Sequence, residues 1–246
     1  MAIYGSESAS VRRPAEVIYT GGSTDWIYRA WWKSCILGTL SAVAVSALVS
    51  VVVSLYLLEF RSGIYSVAAA ELVAIAAVLE GAIIGYFQWR VLCRVFPTMS
   101  SATWVGATMI AAAFGCVLSW VPTSFALTAA AAVRLGDVTL GLPAIVRITL
   151  ETGALVGLVW GVAQYAVLRF HVHQAGGWIL ANTLAWAASF MSLYFAAFLP
   201  DRTTSPAVHI ILAAIAGVVL GSFLGLLNGY VLVRLRSRLL NPHSNW

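Results

Sequence analysis

Glu80, Gln88, Gln164 and Asn228 are the residues whose type and spacing fit them for chemistry, because each is a polar side chain set within a long apolar run. A carboxyl held in hydrocarbon is costly and by default marks a proton, cation or solute path. Glu80 has no basic residue three or four positions away to pair with on its own helix. Its sharper role is proton or cation handling, and its plainer one is a hydrogen bond to a neighbouring helix. The three amides recur at one place in a repeated pattern. As bridges between helices each contributes about 0.6 kcal/mol. As a ring around a shared axis they would coordinate a solute, water or a pigment. Arg147 and Glu151 stand four apart, which puts them on one helix face as an ion pair. Glu71 is a third acid within an apolar run.

The elements that position these groups are helices carrying a stripe of small residues. In each of three stretches a small residue is followed by glycine four and eight positions on. An amide follows three later, and Val-Leu three beyond that. The copies are Ala77, Gly81, Gly85, Gln88; Gly153, Gly157, Gly161, Gln164; and Gly217, Gly221, Gly225, Asn228. At about 100° per residue the glycines and the amide share one narrow face. Small stripes let helix backbones approach closely where lipid provides no hydrophobic drive. The alternative use is a smooth wall for a permeation path, a lipid or a pigment ring.

Composition decides the solvent. Of 246 residues, 61% are hydrophobic and 9% charged, against about 25% charged in soluble domains. Several apolar runs of about 20 residues match a hydrocarbon core of about 30 Å. No strand-like alternation points to a β-barrel. The net charge of +5 sits at the ends of apolar runs, so it speaks of topology and not of nucleic acid. Cys35, Cys93 and Cys116 lack metal-ligand spacing and read as reduced packing residues.

The fold class expected is therefore an all-α integral membrane protein with six transmembrane helices, arranged as three parallel helical-hairpin repeats. Residues 1–33 form a cytoplasmic tail with an interfacial segment, entered by a helix that Asp25 would cap. Residues 34–236 form the transmembrane domain, with spans at about 34–58, 64–92, 103–121, 144–169, 178–198 and 208–233. Residues 237–246 form a second cytoplasmic tail. The connection from Thr123 to Pro143 reads as a surface segment, and no proline falls inside a span. Ten Lys and Arg residues lie on the side of the tails and four (Arg61, Arg134, Arg147, Arg202) on the other. That bias puts both termini in the cytoplasm. Trp104-Val105-Gly106-Ala107-Thr108 aligns with Trp178-Ile179-Leu180-Ala181-Asn182, which extends the repeat into odd-numbered spans; the first span reads as diverged.

The segment Gly81-xxx-Gly85-xx-Gln88-Trp89-x-Val91-Leu92-x-Arg94, with Trp104-Val105 and Trp178 to Asn182, resembles uncharacterised bacterial multi-spanning membrane proteins built from repeated GxxxGxxQWxVLxR hairpins. The resemblance covers about residues 75–235 and implies architecture, with no activity attached. Three hairpins also resemble mitochondrial carriers, whose proline-acid-base signature this chain lacks. Nucleophile elbow, P-loop, dinucleotide fingerprint, HExxH and CxxC are all missing. The loops are too short for a catalytic domain, and mid-span histidine pairs for haem are lacking. The expected role is a non-catalytic structural or accessory subunit of a larger membrane complex, in contact with lipid and protein partners. The alternative is a small-solute or ion transporter or channel using Glu80 and the Gln88, Gln164 and Asn228 amides. No catalytic residue and no metal site are expected, and the cofactor is left open between lipid, pigment and none.

Overall fold

The computed structural model describes residues 24–59, 63–133, 142–198 and 204–240. Among them the chain is all-helical: α1 (Asp25–Glu59), α2 (Gly63–Val95), α3 (Ser101–Val133), α4 (Leu142–Leu168), α5 (Gly177–Phe198) and α6 (Pro206–Leu240). Each helix contains a stretch long and apolar enough to cross a bilayer, from 18 residues in α3 to 33 in α6. These are the dimensions of an integral membrane protein.

Helix limits depart from the expected spans at three places, one of them the end of α6, which runs to Leu240, past the expected end at about 233 and into the expected tail. The carbonyl of Thr24 accepts the backbone N–H groups of Ile27 and Tyr28, each at 3.2 Å. Thr24 is thus the cap, and Asp25 is the first helical residue, where its charge complements the helix dipole. The interfacial segment is consequently the first turns of α1, held by the buried side chains of Ile27 and Trp31. In α3 the helix passes Pro122 and continues to Val133, through residues expected to be a surface connection. Alanine-rich sequence from Ala126 onward favours helix, and one proline removes one backbone hydrogen bond without removing the rest. Arg61, Arg134, Asp137, Arg202, the chain before Thr24 and the chain after Leu240 lie outside the described residues.

Each helix packs against its neighbours in sequence, and α6 returns to pack along α1, so the six close into a ring. Residues 96–100 and 169–176 turn the chain at one end of that ring. Phe96 N–H donates to the Leu92 carbonyl at 2.7 Å, and the Trp89 indole donates to the Met99 carbonyl at 3.1 Å. Thr98 and His171 meet at 3.1 Å and tie the two turns together. Gln174 takes a left-handed conformation, with φ 60°, to complete the second turn.

Glycines set how close alternate neighbours come. A Cβ on Gly81 would lie 2.8 Å from Met109 Cα, on Gly157 2.8 Å from Thr183 Cα, and on Gly221 2.6 Å from Ile36 Cα. Gly85, Gly161 and Gly225 face Val105, Ile179 and Trp32 in the same way, at 3.2, 2.8 and 2.9 Å. Gly153 and Gly217 meet Ala187 and Leu40 one turn further on, while Ala77 is itself buried. Thus α2 is seated on α3, α4 on α5 and α6 on α1, backbone against backbone. A flat ring has no place to lie on these faces, because the next helix covers them. The outward sides carry large apolar residues such as Phe114 and Ile210, 61% and 64% exposed.

Candidate functional site

Two layers occupy the interior of the ring. The first lies at the end where α1, α3 and α5 begin. Trp31, Trp104 and Trp178, one from each of these helices, are 0% exposed. The Trp178 ring meets Trp31 edge-on at 5.4 Å and Trp104 at 6.0 Å, the favoured geometry for aromatic pairs. Gln88, Gln164 and Asn228 enter the same layer from α2, α4 and α6, and none is more than 1% exposed.

Gln164 is the hub. Its Nε2 donates to Gln88 Oε1 at 3.0 Å and to Thr108 Oγ1 at 3.3 Å, and its Oε1 accepts the Trp178 indole N–H at 2.9 Å. Gln88 Nε2 reaches Cys35 Sγ at 4.0 Å, a weak contact. Asn182 Nδ2 donates to the Trp178 carbonyl at 3.0 Å. Asn228 stands apart: neither of its polar atoms has a partner, nor do Asn182 Oδ1, Trp31 Nε1 and Trp104 Nε1. The three amides therefore share a layer but do not form a ring of mutual contacts.

The register explains which bond is missing. Trp178 precedes Ile179, the residue set against Gly161, and Trp31 precedes Trp32, the residue set against Gly225. Gln164 and Asn228 both stand three residues after those glycines. Trp31 thus stands to Asn228 as Trp178 stands to Gln164. Asparagine is one methylene shorter, and its amide stops short of the indole. Trp104 is placed in the same way against Gln88, whose oxygen accepts from Gln164, while the Trp104 indole N–H has no partner.

The second layer is open space. Two cavities of about 210 and 290 Å³ share Ser46, Glu80, Trp160 and Trp186 as lining. Between them they are walled by all six helices, with Cys116 contributed by α3 and Ala216 by α6. Glu80 lies eight residues before Gln88 on α2, about 12 Å along the helix axis. It is the one charged side chain among the described lining residues. The Trp160 and Trp186 rings lie 5.0 Å apart at 48°, and Trp186 Nε1 is buried without a partner. Gln88, Gln164 and Asn228 do not line this space. The polar residues singled out in the sequence are therefore divided: Glu80 lines the cavities, and the amides belong to a buried floor.

The remaining polar residues lie elsewhere. Arg147 Nε donates to Glu151 Oε1 at 2.7 Å, with side chains 79% and 61% exposed. Glu71 is exposed on α2. His209 meets the Ser205 carbonyl at 3.1 Å. Cys35, Cys93 and Cys116 form no disulfide. Among the described residues no three His, Cys, Asp or Glu side chains come together as a metal site.

Sequence reasoning missed Trp31, Trp160, Trp186 and Ser46. Trp31 had a signal: Trp31-xxx-Cys35 repeats the four-residue spacing of Trp104 to Thr108 and Trp178 to Asn182. Trp160 stands four residues before Gln164 and Trp186 four after Asn182, on the faces those amides mark, and only the ring's closure brings the two indoles together.

Compared with models of protein families, with curated proteins and with solved structures, the chain matches none.

Proposed function

We propose that this chain is a small-solute transporter of the bacterial plasma membrane in which three parallel hairpins, α1–α2, α3–α4 and α5–α6, surround a central site with Glu80 as its charged group. The observation that carries this reading is the pair of cavities that share Glu80, Trp160 and Trp186, walled between them by all six helices, with Glu80 the one carboxyl among their described lining residues. A purely structural bundle would gain by filling that space, since contacts forfeited around a void weaken the packing of its lining. The buried floor of three indoles and three amides closes one end, as suits a carrier that exposes its site to one side at a time and not an open pore. Support for the parallel hairpins comes from the register, in which Gly85, Gly161 and Gly225 each meet the residue following a buried tryptophan. The ten-to-four distribution of Lys and Arg favours the floor and both tails on the cytoplasmic side.

A second reading, an accessory subunit packing against protein partners, draws on the apolar outward faces of the ring. Reconstitution separates the two. Liposomes containing the purified chain should pass at least one class of small solute faster than protein-free liposomes, and Glu80→Gln should slow that flux. Equal rates with and without protein for cationic, neutral and anionic solutes, together with a co-purifying membrane protein, would replace the transporter reading with the subunit reading.

A further inference from the structure

We infer that the solute is a small organic cation of the alkylammonium class, seated between Glu80 and the Trp160–Trp186 pair, an inference that rests on the solute-cavity reading above. Charge narrows the choice first. The described lining holds one carboxyl and no Lys, Arg or His. An anionic solute would meet like charge in a low-dielectric space, where the repulsion is poorly screened. A neutral one gains nothing from the carboxyl's charge, whereas a cation supplies the counter-charge that a buried carboxylate needs.

Oxygen supply narrows it next. A bare metal cation taken from water needs about six oxygen ligands or more. Besides Glu80, the lining offers the hydroxyl of Ser46 among mostly apolar side chains, since the Thr39 hydroxyl is buried against the Gly217 carbonyl at 2.7 Å. An ammonium bearing carbon substituents has much less hydration to lose and makes use of apolar walls. Indoles then favour it further, because the ring face attracts a cation, tryptophan most strongly of the aromatic side chains. Two indoles 5.0 Å apart and a carboxyl line the same cavities, so both attractions act on one occupant.

Size sets the upper limit. Cavities of about 210 and 290 Å³ fall below the range of about 300–1,000 Å³ typical of drug-sized ligands. An occupant confined to one of them carries only a few carbon atoms around its charge.

Three probes of one shape and different charge test this with the full-length protein in lipid nanodiscs. They are choline, its neutral isostere with a tert-butyl group in place of trimethylammonium, and the tert-butylacetate anion. Equilibrium binding should rank choline about tenfold or more above the neutral isostere, with the anion not bound. Glu80→Gln should weaken choline about tenfold and leave the neutral isostere unchanged, and the thermal unfolding temperature of the variant should be reported beside its affinity. The wild-type ranking needs no variant, so it stands even if Glu80→Gln fails to fold. If the isostere or the anion binds as well as choline, the cation inference is overturned while the solute cavity stands. If none of the three binds and no solute crosses reconstituted liposomes, both fall together.

Discussion

Replacing Asn228 with Gln should stabilise this protein, an unusual expectation for a fully buried position. In the α4–α5 part of the interior layer Trp178 Nε1 donates to Gln164 Oε1 at 2.9 Å. At the corresponding place between α6 and α1, Trp31 Nε1 and both polar atoms of Asn228 are buried without partners. A glutamine at 228 extends the amide by one carbon–carbon bond, about 1.5 Å, from a backbone already in the same register. A buried donor or acceptor left unsatisfied costs about 1–3 kcal/mol, so making the Trp31 bond should yield about 1–2 kcal/mol after side-chain entropy is subtracted. For a chain of this length that is a rise of about 2–8 °C in unfolding temperature. Scanning fluorimetry in mild detergent measures it directly, since the reporters are the indoles themselves. Gln164→Asn provides the reverse comparison and should cost about 2–4 kcal/mol, because it removes the partner of Trp178, Gln88 and Thr108 together. Trp178→Phe should likewise cost more than Trp31→Phe, because the two truncations match in size and only the first breaks a hydrogen bond. The reasoning is refuted if Asn228→Gln lowers stability as much as Gln164→Asn does, or if the two Trp→Phe variants unfold alike.

Other expectations follow from the packing and the charges. Gly221→Leu, where even a Cβ would approach Ile36 Cα to 2.6 Å, should cost about 1–3 kcal/mol or prevent assembly, as should Gly157→Leu. Gly106→Ala, where nothing lies within 4 Å of the added carbon, should instead be neutral or stabilising by about 0.5–1 kcal/mol; denaturant titration of the three compares them. Single cysteines at Ser8 and Ser244 should react with impermeant maleimide only from the cytoplasmic face, and external labelling of either would reverse the proposed topology. Arg147→Ala should leave the unfolding temperature unchanged, because the Arg147–Glu151 pair is exposed.

Much of this architecture was legible before any coordinates. Apolar runs with charges confined to their ends require membrane-length helices, because a backbone in hydrocarbon must satisfy its own hydrogen bonds. The spacing of Gly81, Gly85 and Gln88, and of its two later copies, puts small residues and an amide on one face by helical geometry alone. Local rules were less sufficient at helix ends. Thr24 took the capping place expected of Asp25, and α3 ran through Pro122, because one lost hydrogen bond is outweighed by the helix-forming residues beyond it.

What the sequence by itself determined is that six helices would form, which faces are smooth, and which polar side chains lie within apolar runs. Only the tertiary structure decided how those side chains divide, because that depends on which helix covers each glycine face. Once α2, α4 and α6 are seated on α3, α5 and α1, Gln88, Gln164 and Asn228 are driven into a floor with three tryptophans. Glu80, two turns away on the same helix, is left facing space that Trp160 and Trp186 enter from α4 and α5. Residues eight apart on one helix share a face but not a depth. The contents of each depth are supplied by other helices, whose arrival at that level is a property of the closed ring and not of any single segment.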